Sequence, residues 1–102
     1  IAPVEIEDLL RTHRAIKDVA VVPMPDPILG ERACAFVIPA NKREEIAFEE
    51  IISFLRAKGL TTFKLPERLE IIDAFPMIGD QKVLKSKLVE IVTNKLRAEG
   101  KI

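Results

Sequence analysis

The apolar residues of this chain change period along its length, and each change predicts an element. Ile6, Leu9, Leu10 and His13 fall at helical spacing behind Pro3, whose fixed φ suits a first helical position. The opening segment therefore reads as an amphipathic helix of about three turns. Ile16 to Met24 and Ala33 to Pro39 are instead short, nearly continuous apolar or β-branched runs, separated by Pro25-Asp26-Pro27 and Gly30. That punctuation predicts two neighbouring strands, and their continuous apolarity predicts burial on both faces. A charged loop, Asn41 to Glu45, leads into a second helical stripe of Phe48, Ile51, Ile52 and Leu55, which Gly59 stops. Arg68 to Asp73 reads as a third strand. Leu84, Leu88, Ile91, Val92 and Leu96 form the stripe of a last helix that Gly100 terminates.

The predicted order is helix, strand, strand, helix, strand, helix. With short connections and no repeats, it implies an α+β fold, a small three-stranded sheet flanked by helices. The 102 residues make a single domain, 1–102, with a modest core rather than a whole enzyme.

Composition narrows the function. Sixteen basic and sixteen acidic residues cancel, so the basic footprint of a nucleic-acid binder is missing, and with no Tyr or Trp so are its usual stacking platforms. The five Phe residues sit singly in apolar patterns and are expected in the core. A nucleotide- or RNA-binding domain of ferredoxin-like topology would need exposed aromatics or a basic sheet face. No segment reaches the roughly 18 apolar residues of a membrane span and no leader is visible, which makes the cytoplasm the default location. The single cysteine, Cys34, lies within Ala33-Cys34-Ala35-Phe36-Val37-Ile38 and reads as a small buried hydrophobe rather than a catalytic thiol. His13 ends the first helical stripe and reads as structural. With no second His to share a metal, no metal site is expected.

Four blocks carry chemistry. Ile1-Ala2-Pro3-Val4-Glu5-Ile6-Glu7 opens the chain, and Val22 to Glu31 contains Pro-Asp-x-x-x-Gly-Glu. Phe63-Lys64-Leu65-Pro66-Glu67-Arg68 follows, and Pro76-Met77-Ile78-Gly79-Asp80-Gln81-Lys82-Val83-Leu84-Lys85 closes the set. In this order and spacing they resemble the C-terminal domain of the adenylate-forming ligases, the superfamily of acyl- and aryl-CoA synthetases, luciferases and peptide-synthetase adenylation domains. The resemblance covers nearly the whole chain and implies the same α+β architecture. It also implies that the chain is cut from a longer enzyme, whose large N-terminal adenylation domain would be its partner.

By that resemblance Lys82 is the catalytic lysine and Gly79, Asp80 and Gln81 are its loop. The implied substrates are a small-molecule carboxylic acid, ATP accompanied by Mg2+, and CoA or a pantetheinyl carrier. Attack of a carboxylate on the α-phosphorus brings two anions together, so positive charge must be fixed where negative charge accumulates. An ammonium on a flexible stem suits that role, making Lys82 an electrostatic stabiliser and not a nucleophile. Lys58 and Lys64, near the second helix end, are the implied contacts for CoA phosphates, with a solvated surface role as the alternative. Lys85 and Lys87 read as solvent-facing. Two positions depart from the pattern: Gln81 stands where glycine usually precedes the lysine, and Met77-Ile78 where a basic residue and threonine are usual. Overall likeness points to a CoA ligase with the acid left open. The alternative is a stand-alone interaction or regulatory module built on the same scaffold.

Overall fold

The computed structural model describes residues 3–43, 45–80 and 82–102. Helix α1 (Pro3–Leu10) precedes strands β1 (Ile16–Asp26) and β2 (Gly30–Pro39), then α2 (Phe48–Ala57) and β3 (Arg68–Ile71). Two short strands, β4 (Met77–Ile78) and β5 (Lys82–Val83), lead to α3 (Lys85–Ala98). The main sheet has the order β1-β2-β3, and β4 and β5 form a separate two-stranded sheet.

The two-faced burial expected of β1 and β2 is observed, and strand alternation divides it. Val19, Val21, Ala33, Ala35 and Val37 point to one face and pack with Ile6, Leu10, Ile51 and Leu55 of α1 and α2. Ala20, Val22, Met24, Cys34 and Phe36 point to the other and pack with Leu88, Val92 and Leu96 of α3. The antiparallel register, with Val21 opposite Ala35 and Ala20 opposite Phe36, brings like-facing residues side by side. The pairing of β2 with β3 is parallel, which a tight turn cannot make, and α2 supplies the crossover. Cys34 is fully buried within the α3-side core, and burial, with the nearby Glu70 charge, pushes its thiol up to about 12. It is an inert core residue, as its sequence context suggests.

The Pro-Asp-Pro turn owes its shape to Asp26. Its Oδ2 accepts the Leu29 and Ile28 N–H groups at 2.7 and 3.0 Å, while Oδ1 accepts Arg32 Nε at 2.7 Å. The Leu29 N–H bond is the main reason that the carboxyl titrates below its usual range. Arg32 extends the link to Glu67 at 2.6 Å, joining the turn to the lead-in of β3.

Three expectations need correction. The first helix stops at Leu10, because Thr12 and His13 close onto Leu9 and Leu10 with tighter bonds three residues back, and the Thr12 hydroxyl takes the Leu9 carbonyl. His13 is therefore not on the helix, although its ring is buried. Its Nδ1 accepts the Ala15 N–H at 3.0 Å, its Nε2 lies 3.0 Å from Glu50 Oε2, and Phe54 meets it edge-on. Second, not every Phe is core. Phe63 is 96% exposed, because in the short 3-10 turn Thr62–Lys64 the inward positions on either side are taken by Leu60 and Leu65. Third, Lys85 does not simply face solvent but pairs with Glu7 at 2.8 Å. The charged loop is described from Asn41 to Arg43 and at Glu45.

An ion network ties β3 to α3. Arg68 donates Nε to Glu70 at 2.7 Å and its two terminal nitrogens to Glu99 at 2.8 and 2.6 Å, and Lys95 also binds Glu70. The Arg68 fork draws the Glu99 carboxyl from 4.5 down to about 2. Burial alone would raise Glu70, but Lys95 and Arg68 outweigh it and hold it below the ordinary value. A carboxyl whose folded value is depressed adds stability above its unfolded value and loses it as pH falls through the folded one. The urea midpoint is therefore expected to decline between pH 4.5 and pH 2, and Arg68→Gln to flatten that decline. An unchanged slope in the variant would remove the network as its cause.

Candidate active site

Lys82 lies on β5, opposite Ile78 of β4, in a hairpin that the periodicity of the sequence did not predict. The strands are two residues each, too short for alternation to register. The alternation is nonetheless physical: Val83 packs against the α3-side core, so its neighbour Lys82 projects outward and is exposed. Gly79 turns the chain between the strands at φ +63°, the left-handed region in which a β-carbon is disfavoured by roughly 1 kcal/mol. Asp80 beside it is exposed. Gln81 lies outside the described residues.

The base of the hairpin is closed by the Leu84 N–H donating to the Pro76 carbonyl at 2.7 Å. Phe75 and Ile72 pack on the same core as Val83. The Lys82 side chain makes no ion pair or hydrogen bond with the described residues. Among the described residues its ammonium has no partner, and it sits on a short arm whose root is held by the core. Lys87, by contrast, pairs with Glu90 at 3.1 Å on the exposed side of α3.

The two cations assigned to CoA are not brought into one groove. Lys58, at the end of α2, lies 5.3 Å from the centre of the Phe54 ring. Lys64 pairs with Glu5 of α1 at 3.2 Å and borders a shallow groove with Leu29, Arg32, Thr62, Phe63 and Glu67. An adjoining groove shares Arg32, Thr62 and Glu67 and adds Arg56, a cation without a bonded partner among the described residues. Sequence patterning gave no sign of Arg56, because it sits on the polar side of an ordinary amphipathic helix. No group of three or more His, Cys, Asp or Glu is arranged to hold a metal among the described residues. Nor is any described helix long and apolar enough to cross a membrane.

The family model described as AMP-binding enzyme C-terminal domain matches residues 5–82, from within α1 to the hairpin lysine. The chain belongs to that family. Over 98 residues it is 43% identical to the 2,3-dihydroxybenzoate-AMP ligase of Bacillus subtilis, covering 96% of this chain and 18% of that protein. Against the medium-chain fatty-acid–CoA ligase of Escherichia coli it is 34% identical over 92 residues, covering 90% of this chain and 16% of that protein. The crystal structure of a Brucella canis acyl-CoA synthetase superposes with a TM-score of 0.83 at 29% identity, over 93% of this chain and 18% of that one. The chain thus spans less than a fifth of the length of these relatives, and it has the three-stranded sheet with flanking helices of an AMP-binding enzyme C-terminal domain.

Proposed function

We propose that this AMP-binding enzyme C-terminal domain presents Lys82 to an acid-activating site on a large N-terminal domain of the same protein. The observation that carries the reading is Lys82, exposed and unpaired among the described residues, on a hairpin rooted in the core. In the first half-reaction a carboxylate oxygen bonds to the α-phosphorus of ATP, and the bond to the pyrophosphate oxygen breaks. Lys82 balances the charge gathering on the phosphate and carboxylate oxygens, with Gly79 and Asp80 setting its approach. Mg2+ would travel with the ATP phosphates. In the second half-reaction a thiol sulfur attacks the acyl carbon, AMP departs and the thiol proton is released. For that step the groove of Phe63, Leu29 and Lys64, with Arg56 beside it, offers an apolar and cationic border for CoA. Lys58 contributes from the end of α2.

A CoA thioester is the leading product. The 43% identity to an aryl-acid ligase, against 34% to a fatty-acid ligase, supports a second reading: an aryl acid as substrate, with a pantetheinyl carrier as acceptor. The test is ATP–pyrophosphate exchange by the full-length protein with hydroxybenzoates and with fatty acids, followed by mass analysis of the product formed with CoA. Exchange with either acid class supports adenylation. An aryl-adenylate that CoA fails to consume selects the carrier reading, and no exchange with any acid sinks both. The isolated 102-residue chain is expected to give no exchange, because the acid and nucleotide pockets belong to the large domain.

A further inference from the structure

Glu7 is one of the two buried polar or charged residues described, and its contacts join opposite ends of the sequence. Its side chain is 8% exposed, and a single oxygen, Oε2, accepts two donors: the Val21 N–H at 2.8 Å and Lys85 Nζ at 2.8 Å. Val21 lies on β1, an outer strand of the sheet, so this N–H has no strand partner on that side. Lys85 is the first residue of α3, where a cation opposes the helix dipole and gains nothing from its position along the helix. The Glu7 carboxylate offsets that disadvantage and locates the ammonium. The pair is separated by 78 positions in sequence, and only Val83 and Leu84 stand between Lys85 and Lys82.

We infer that Glu7 and Lys85 are positioning residues for Lys82. The inference rests on the proposed role of that lysine. The hairpin arm is held at its root by the Leu84 to Pro76 hydrogen bond and by Val83 in the core, and the Glu7 bridge ties the same root to α1. In the proposed arrangement the large domain lies ahead of α1 in the chain, so α1 is the element next to the joint between the two. The bridge therefore fixes the direction of the lysine arm relative to that joint, which sets where the ammonium arrives when the domain docks for adenylation. Neither residue touches the reacting atoms. Misplacement of a charged group by about 1 Å is enough to cost up to roughly a hundredfold in rate.

The experiment uses the full-length protein and measures the two half-reactions separately, ATP–pyrophosphate exchange and thioester formation from supplied acyl-adenylate. Lys85→Met removes the ammonium at a half-exposed position, and Glu7→Gln keeps an oxygen for the Val21 N–H while removing the anion. Each variant is expected to lower the kcat of exchange by about tenfold with the KM for the acid unchanged, and to leave the second half-reaction intact. The double variant is expected to be no worse than either single one, and Lys85→Arg to restore exchange. Lys82→Ala is run alongside. Unchanged exchange in Lys85→Met while Lys82→Ala is impaired overturns this inference and spares the proposed function. Equal losses in both half-reactions, with a lowered thermal midpoint, overturn it as well, since the bridge then only holds the fold. Full exchange by Lys82→Ala removes the proposed role of Lys82 and the inference with it.

Discussion

Lys82→Ala in the full-length protein is expected to slow ATP–pyrophosphate exchange by about 10²–10³-fold, as for loss of one preorganised donor facing a developing anion, while thiol transfer from supplied adenylate changes little. The asymmetry follows from where charge builds up. Two anions, the carboxylate and the phosphate, are forced together only in the first step; in the second a thiol attacks a neutral acyl carbon, and the new charge goes to the AMP oxygen that leaves. Because Lys82 is exposed and unpaired among the described residues, its truncation leaves the packing untouched and the rate change reports on chemistry rather than folding. Comparable losses in both half-reactions would contradict the assigned role.

Phe36→Ala is expected to be the most damaging single truncation for stability. The ring is 1% exposed on β2, opposite Ala20 and within the core formed with Leu88, Val92 and Leu96. Emptying such a site costs about 3–5 kcal/mol in lost transfer energy and cavity, a large share of the roughly 5–15 kcal/mol that holds a domain together. The thermal midpoint should drop on the order of 20 °C. Phe63→Ala, at a 96% exposed ring, should shift it by no more than a few degrees. Circular dichroism melts of the two variants decide the matter, and a larger loss from Phe63 would reverse the assignment of core and surface.

That pair of phenylalanines also marks how far the sequence could be read. The apolar runs of β1 and β2 predicted burial on both faces because that pattern has few other structural solutions. The stops of α2 and α3 were legible because Gly59 and Gly100 each leave the following N–H to reach back to Leu55 and Leu96. Phe63 could not be separated from Phe36 by residue type alone, since its exposure depends on Leu60 and Leu65 taking the inward positions. The hairpin of β4 and β5 escaped notice because two-residue strands carry no period, even though the lysine they present stood out within its block. The Glu7 to Lys85 bridge was invisible for another reason: nothing in a linear pattern links a residue of the first helix to one 78 positions later.

The same first helix has a bearing on the behaviour of the chain in crowded solution. A bare outer strand of eleven residues would be a template on which another chain could pair. Here Glu7 of α1 occupies the Val21 N–H and Arg11, just past the end of that helix, reaches the Val19 carbonyl at 3.4 Å, so side chains plug the middle of that margin. The opposite margin, β3, is only four residues long. The fold thereby limits pairing of a second chain along either margin of its sheet.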